Sequence, residues 1–203
     1  MKITNVKFIK SVARSQDILT DKNEYAFVGR SNVGKSSLLN FLVNSKIAKT
    51  SSTPGRTQLI NYFEVNKQFY FVDLPGYGYA KLNKTQKQSW SKLLGDYLIS
   101  SPKLKCVFML VDIRHKPSEL DKQMQKFLYF YQIPTVIVAT KCDKLSRAQM
   151  HNQKQVIANE LGVGKANIIL TSADAKLGLQ DVLDKIEFFE NLKINETSES
   201  ENN

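Results

Sequence analysis

The sequence is poor in cysteine, histidine and long apolar runs, and each shortage argues against a class of protein. Its two cysteines, Cys106 and Cys142, have no support as a disulfide, and a reducing cytoplasm is the compartment that fits. The two histidines, His115 and His151, have no partners at metal-binding spacing. No run of about 18 apolar residues occurs and the first residues contain no uninterrupted apolar segment, so we expect neither a membrane protein nor a secreted one.

Acidic residues are also in the minority. The chain has 29 Lys and Arg against 19 Asp and Glu, a formal net charge of +10. Residues 191–203 hold one Lys and three Glu, so the remainder is more basic still, which suits a polyanionic partner. Because 42% of the residues are hydrophobic, we predict one globular domain over residues 1–190, followed by a disordered polar tail at 191–203.

The most specific motif present is a Gly-x-x-x-x-Gly-Lys-Ser loop between a strand-like run and a helix-like run. It consists of Gly29, Arg30, Ser31, Asn32, Val33, Gly34, Lys35 and Ser36. The glycines allow successive backbone N–H groups to point at a β-phosphate at the start of a helix. Lys35 would neutralise β- and γ-phosphate oxygens, and the Ser36 hydroxyl would ligate magnesium. An ordinary glycine-rich turn is the alternative, and the strand and helix flanks argue against it.

A second motif indicates which base is bound. An apolar run at 133–139 predicts a buried strand that delivers Thr140, Lys141, Cys142 and Asp143 to the carboxyl edge of a sheet. The two acceptor oxygens of Asp143 match the N1–H and 2-amino donors of guanine. The Lys141 stem would lie on the base with its ammonium in solvent. The alternative is that Asp143 caps the helix predicted at 146–161. A further strand brings Thr171, Ser172 and Ala173 to the same edge, where the Ala173 N–H would reach guanine O6.

Two segments between these motifs have the composition of γ-phosphate sensors. Asp73, Leu74, Pro75 and Gly76 follow a strand-like run, so Asp73 would hold magnesium through a water and the Gly76 N–H would reach the γ-phosphate. A simple Pro-Gly turn is the alternative. Residues 49–57 are small and polar, and we predict that they are mobile without a ligand. Their Thr57 and Thr53 hydroxyls are equally suited to ligate magnesium, and the residues alone leave both open.

The motifs G-R-S-N-V-G-K-S, T-P-G-R-T-Q-L, D-L-P-G-Y-G-Y-A-K, D-I-R-H-K-P-S-E-L-D and T-K-C-D occur in this order. With them, the chain resembles the EngB (YihA/YsxC) family of small bacterial GTPases over roughly residues 3–190. The resemblance implies a magnesium-dependent GTP-binding protein of large ribosomal subunit assembly, whose loss is associated with division and septation defects. It favours Thr57 over Thr53 as the magnesium ligand beside Ser36. It also adds contacts to GTP from Gly55, Arg56, Thr57, Gln58 and Leu59.

Two positions differ from the general GTPase pattern. Thr140 replaces an Asn whose amide would bridge the base and the phosphate loop, so we expect modest guanine affinity. Tyr77 follows Gly76 where Ras-type proteins have a water-orienting Gln, so intrinsic hydrolysis should be slow, on the order of 10⁻² per second or less. Lys35, Thr57 and Gly76 are the candidate catalytic groups. Two hypotheses would complete the site: Asn32 helps to bind potassium, or Arg56 supplies positive charge in cis.

Alternating strand and helix signals predict an α/β, doubly wound sheet, and the resemblance implies the three-layer P-loop NTPase (Ras-like GTPase) fold. The prediction is a mostly parallel six-stranded sheet with one antiparallel strand and helices on both faces. The strands are expected near 25–29, 59–65, 68–73, 106–112, 134–140 and 167–171. The helices are expected near 35–44, 84–100, 118–131, 146–161 and 178–190.

Basic residues beside the second sensor segment predict an RNA-facing surface. Lys81, Lys84, Lys87 and Lys92 are interleaved with Tyr77, Tyr79 and Trp90. Arg114 and Lys116 would extend this edge. The alternatives are that the lysines only solvate a helix, that Trp90 is a core residue, and that Arg114 only pairs with Asp112 or Asp121.

We therefore expect a monomeric, cytoplasmic GTP-dependent switch that docks on the large ribosomal subunit or its precursor, through ribosomal RNA and proteins and without a membrane. A nucleotide kinase is disfavoured by residues 140–143. A cell-division adaptor that acts through protein contacts is the remaining alternative.

Overall fold

The computed structural model of the protein describes residues 1–47, 59–78 and 84–192, and for residues 84–91 only the backbone. Within these residues seven strands form one sheet in the order β1-β3-β4-β2-β5-β6-β7. The strands are β1 (Val6–Val12), β2 (Asn23–Gly29), β3 (Ile60–Val65), β4 (Phe69–Asp73), β5 (Leu104–Asp112), β6 (Thr135–Thr140) and β7 (Ile168–Leu170). Only β3 runs against its neighbours, β1 and β4, and the other strands are parallel. The predicted Ras-like α/β fold with one antiparallel strand is confirmed.

The predicted count of six strands is wrong, because β1 adds a seventh at the edge of the sheet beside β3. Its pairing with β3 shifts register between Phe8 and Lys10. Such a bulge breaks the strict alternation of apolar and polar residues that identifies a half-buried strand. Lysines also interrupt the segment, as they commonly do at sheet edges. The sequence pattern of β1 is therefore weak.

Five helices lie close to their predicted positions: α1 (Lys35–Leu42), α2 (Lys84–Ser100), α3 (Glu119–Phe130), α4 (Arg147–Leu161) and α5 (Leu179–Asn191). Capping boxes begin two of them, with Ser118 and Asp121 at α3 and Ser146 and Gln149 at α4. Because Ser146 is the cap of α4, the alternative that Asp143 caps this helix is wrong. Asp143 instead lies in a short 3-10 turn, Cys142–Lys144, ahead of it.

The central strands are buried on both faces, which explains their continuous apolar runs. Side chains on one face of the sheet, such as Val28 and Met109, pack with buried residues of α2, α3 and α4. Side chains on the opposite face, such as Phe27 and Phe108, pack with α1 and α5. This three-layer arrangement brings the loops after β2, β4, β5, β6 and β7 to one edge of the sheet. Among the described residues, no helix is both long enough and apolar enough to cross a membrane.

Candidate nucleotide-binding site

The loop between β2 and α1 has the geometry of an anion cradle. Gly34, at the N-cap of α1, has φ of 105°, a conformation that favours glycine. Within the described part of the chain, no side chain caps this end of α1, so its first N–H groups have no side-chain partner among those residues. The Ser31 hydroxyl is buried and has no hydrogen-bond partner among the described residues. A bound phosphate would satisfy donors of this kind.

Close packing fixes the start of this loop. A Cβ on Gly29 would lie 2.9 Å from Val33 Cγ1 and 3.0 Å from the Leu110 carbonyl oxygen. The first distance is shorter than real Cβ contacts, the second is tighter than nearly all of them, and the second atom belongs to the backbone. The glycine therefore lets β2 turn into the loop directly against β5.

Lys35 and Asp73 form an ion pair between α1 and the end of β4. Both side chains are largely buried, so each charge depends on a partner of opposite sign. The half-buried Ser36 follows Lys35 in the first turn of α1. Phosphates and a magnesium ion would supply alternative partners for the same two charges, because Mg²⁺ is usually held by one or two protein groups together with substrate phosphates. The residues present thus fit a magnesium nucleotide.

The segment after β4 runs alongside the phosphate loop instead of forming an isolated turn. The Tyr77 N–H donates to the Gly29 carbonyl (3.2 Å), and the Ser31 N–H donates to the Tyr77 carbonyl (3.2 Å). A Cβ on Gly76 would lie 3.2 Å from the Gly29 oxygen. Gly76 is therefore held against the loop, as its predicted role at the γ-phosphate requires.

The Tyr77 side chain faces α3. Its hydroxyl donates to Asp121 Oδ1 at 2.8 Å, and Asp121 Oδ2 accepts from the backbone and hydroxyl of Ser118. Burial, together with the Asp121 charge, raises the pKa of Tyr77 well above its usual value. The protonated phenol links the segment after β4 to the start of α3, a contact that no local sequence pattern indicates.

Thr140 contacts the phosphate loop directly. Its hydroxyl lies 2.6 Å from the Val33 carbonyl oxygen and 3.1 Å from that of Val111. The hydroxyl has one proton, so it donates to one of them at a time. The Thr140 hydroxyl thus makes a contact to the phosphate loop, which is one half of the bridge predicted for an Asn amide. The expected modest guanine affinity stays a prediction.

Asp143 is held next to the end of β7. Its carboxylate accepts a hydrogen bond from the Ser172 hydroxyl at 2.5 Å and pairs with Lys144 at 2.8 Å. The hydrogen bonds from Lys144 and Ser172 lower the pKa of Asp143. The carboxyl group is therefore ionised at neutral pH, the acceptor state that guanine recognition requires.

The Lys141 ammonium is not free in solvent, contrary to the sequence prediction. It donates to the Asn32 carbonyl (2.8 Å) and to Asp112 Oδ2 (2.9 Å). Asp112, at the end of β5, also accepts two hydrogen bonds from the Arg114 guanidinium and one from the Arg114 backbone N–H. The predicted pairing of Arg114 with Asp112 is therefore confirmed, while a role of Arg114 at an RNA-facing edge stays a prediction. Burial works to raise the pKa of Asp112, but hydrogen bonds from Arg114 and Lys141 outweigh it and hold this pKa well below its usual range.

The loop after β7 completes this edge. The Cys142 N–H donates to the Thr171 carbonyl (3.1 Å), and Ser172 exchanges two backbone hydrogen bonds with Leu177. A Cβ on Gly178 would lie 2.1 Å from the Leu170 oxygen, so only glycine fits there. Ala173 follows Ser172 directly and is thereby close to Asp143.

The structure thus assembles at one edge the predicted residues of 29–36, 73–76, 140–143 and 171–173. Leu59 lies just before β3. Some predicted residues lie outside the described part of the chain: Thr53, Gly55, Arg56, Thr57, Gln58, Tyr79 and Lys81. The side chains of Lys84, Lys87 and Trp90 are likewise not described.

The chain is similar to known GTP-binding proteins. The model of a family described as 50S ribosome-binding GTPase matches residues 24–141. A probable GTP-binding protein EngB of Clostridium kluyveri is 48% identical over 190 residues, which cover 92% of this chain and 96% of that protein. Its counterpart in Geobacter metallireducens is 44% identical over 189 residues, covering 92% and 93%.

Solved structures share the fold. The crystal structure of a probable GTP-binding protein EngB superposes with a TM-score of 0.70 at 23% identity, covering 82% of this chain and 97% of that one. An Aquifex aeolicus Era variant bound to GDP and aluminium fluoride superposes with a TM-score of 0.67 at 23% identity, covering 85% and 57%. Because the family model spans more than half of the chain and these relatives match over nearly their full length, the chain belongs to the EngB family of GTP-binding proteins and is a GTPase.

Proposed function

We propose that the protein is a GTP-operated switch in the assembly of the large ribosomal subunit, and that normal cell division and septation depend on it. The observation that carries the proposal is the meeting of the phosphate loop, Gly76 and an ionised Asp143 at one sheet edge, in a chain whose family is described as binding the 50S subunit. Its place of action would be the cytoplasm, where free, buried Cys106 and Cys142 stay reduced.

In this proposal, different groups of residues bind the phosphates and the base of the nucleotide. The backbone of 29–36 and Lys35 bind the phosphates, so Lys35 exchanges Asp73 for phosphate oxygens. Asp143 and Ala173 read guanine, and the Lys141 stem covers it. The remaining contacts are from Gly55, Arg56, Thr57, Gln58, Leu59, Leu74, Pro75, Cys142, Thr171 and Ser172.

Ser36 and Thr57 would hold magnesium directly, and Asp73 would hold it through a water. When bound, magnesium offsets charge on the β- and γ-phosphates. The Gly76 N–H would then donate a hydrogen bond to the γ-phosphate. Hydrolysis removes this group as inorganic phosphate while GDP stays in the site.

Hydrolysis by the protein alone would be slow. The phenol at position 77 is occupied with Asp121, so it does not orient water for attack as a Gln does in other GTPases. We propose that a bound ribosomal partner completes the site, with Asn32 contributing to a potassium site or Arg56 supplying charge in cis. Equal single-turnover rates in potassium and sodium would argue against the first, and an unchanged rate in Arg56→Ala against the second.

The test is sedimentation of the purified protein with large ribosomal subunits and their precursors, at one fixed salt concentration, with GDP or a non-hydrolysable GTP analogue. We expect co-sedimentation with the GTP analogue only. A matched control is Asp143→Asn, whose amide can donate to the 2-oxo group of xanthine. This variant should sediment with a xanthosine triphosphate analogue and not with the guanosine one. If the wild-type protein sediments in neither state, ribosome assembly is the wrong function and the division-adaptor alternative replaces it.

A further inference from the structure

The end of α3 exposes three consecutive aromatic side chains. Tyr129 is 81% exposed, Phe130 76% and Tyr131 43%. Tyr131 packs on the half-buried Phe127, with ring centroids 4.8 Å apart, and Phe130 meets Tyr131 edge-on at 5.0 Å. Tyr129 has no ring or hydrogen-bond partner among the described residues. Contiguous exposed apolar groups of this kind mark interaction sites in folded proteins.

This cluster lies at the end of the sheet opposite to the nucleotide site. The chain leaves the carboxyl end of β5 at Asp112, runs back along α3, and re-enters the sheet at Thr135, the amino end of β6. The site residues Thr140 and Asp143 follow the other end of β6. A strand of this length spans about 20 Å, so a partner could contact the cluster without covering the nucleotide.

Lysines without acidic neighbours in sequence flank the aromatic side chains. Lys126 is exposed and lies one helical turn before Tyr129 and Phe130. Lys105 lies at the amino end of β5, where the Val107 N–H donates to the Pro134 carbonyl at 2.8 Å. Neither lysine forms an ion pair with any described residue. Residues 97–111 and 122–142 contain no Asp or Glu. We call Lys105, Lys126, Tyr129, Phe130 and Tyr131 the distal aromatic surface.

We propose that the distal aromatic surface binds unpaired nucleotides of RNA. Exposed rings provide faces on which bases stack, and neighbouring lysines follow the phosphates, the combination by which proteins bind single strands. Aromatic residues are also enriched at protein–protein interfaces, but lysine is depleted there, so the two lysines beside these rings favour RNA over a protein partner. The inference rests on the proposed function and deepens it, since it adds a second RNA contact on the face remote from GTP.

The first test measures binding of a labelled oligouridylate of about twelve nucleotides and of an RNA duplex of the same length. We expect the wild-type protein to prefer the single strand, and Tyr129→Ala/Phe130→Ala to weaken binding about tenfold or more. Lys105→Gln/Lys126→Gln should make the slope of log K against log salt shallower by roughly 0.7 for each phosphate that a lysine no longer neutralises. Unchanged affinity of the aromatic variant, or a preference for the duplex, would overturn the proposal.

Two control variants separate stacking from other effects. Phe188 is 55% exposed with Lys185 Nζ 5.8 Å from its ring, but its helix α5 also carries Asp181, Asp184, Glu187 and Glu190. The variant Phe188→Ala/Lys185→Gln should bind RNA as the wild type does. Tyr129→Leu/Phe130→Leu keeps an apolar surface without ring faces, so it should bind as weakly as the alanine variant. If the leucine variant binds the oligouridylate as tightly as the wild type does, the rings do not hold the RNA by stacking and the proposal is wrong.

Sedimentation with large subunits distinguishes failure of this inference from failure of the proposed function. If the wild-type protein sediments with the GTP analogue and Tyr129→Ala/Phe130→Ala does so equally well, the function stands and the distal aromatic surface has no part in it. If the wild-type protein does not sediment at all, the proposed function itself fails. Unchanged GDP affinity of each variant confirms that it is folded.

Discussion

At the scale of single residues, Asp112 connects the base-reading loop to the sheet. It pairs with Lys141, whose ammonium also binds the phosphate-loop carbonyl of Asn32. Asp112→Asn replaces the charge with a neutral amide, so Lys141 loses its fixed position against the loop. Because hydrogen bonds to charged groups contribute about 1.5–3 kcal/mol, we expect the Kd for GDP to rise about tenfold. Binding of a fluorescent GDP derivative measures this.

Arg114→Gln is the matched control, since it removes the more exposed partner of Asp112 and leaves the pair with Lys141 in place. Exposed pairs contribute about 0–1 kcal/mol, so the Kd should change less than about fivefold. Equal effects of the two substitutions would mean that Asp112 acts through Arg114 and not through Lys141.

At the scale of secondary-structure elements, the bond between Tyr77 and Asp121 joins the segment after β4 to α3. Tyr77→Phe deletes the hydroxyl donor, so Asp121 Oδ1 stays buried and loses this hydrogen bond. Ser118 still donates to the other carboxylate oxygen. Loss of one partner of a buried polar pair costs about 1–3 kcal/mol of unfolding free energy. Urea unfolding measures the loss.

The control for this prediction is Tyr131→Phe, which removes a partly exposed hydroxyl just beyond α3. Surface substitutions of this kind usually stay within about 0.5 kcal/mol. A stable Tyr77→Phe variant would mean that the segment after β4 is not tied to α3 through this hydrogen bond.

The elements themselves were largely predictable, because their signals are local. Ser146 and Gln149 begin α4, Gly162 ends it, and apolar runs mark β5 and β6. Because the carboxyl ends of parallel strands lie at the same edge of a sheet, residues 140–143 were predicted to lie beside the phosphate loop. The partner of the Lys141 ammonium was not predictable, since Asp112 lies 29 residues away and their contact depends on strand register. The strand β1 was missed because its bulge disrupts the only local signal.

At the scale of the whole molecule, a buried carboxyl group connects β2 to the end of α2, far from the nucleotide site. Glu24, in β2, has no exposed surface. It accepts hydrogen bonds from Tyr97 in α2 (2.7 Å) and from Ser101 just after it (2.8 Å). Burial raises the pKa of Glu24 to about 7, although these hydrogen bonds work in the opposite direction. Folding therefore favours the protonated acid.

The sign of the pH dependence follows from this shift. Between the usual pKa of a glutamate and about pH 7, the folded protein holds a proton at Glu24 that the unfolded chain does not. The stabilising contribution of Glu24 is therefore fully present below the usual pKa of a glutamate. It decreases as the pH rises and levels off above the pKa that Glu24 has in the folded protein. Glu24→Gln mimics the neutral acid and removes the fall. Its unfolding free energy relative to wild type should rise by an amount on the order of 3 kcal/mol between about pH 5 and pH 8.

Urea unfolding of both proteins at the two pH values measures the difference, and comparison within each pH cancels the titration of other groups. Tyr97→Phe provides the opposite change. It removes a hydroxyl that stabilises the charged form of Glu24, so its stability relative to wild type should fall further at the higher pH. A difference between Glu24→Gln and wild type that stays constant from acid to alkali would mean that Glu24 is already ionised in the folded protein. Its charge would then be satisfied by Tyr97 and Ser101 in spite of its burial.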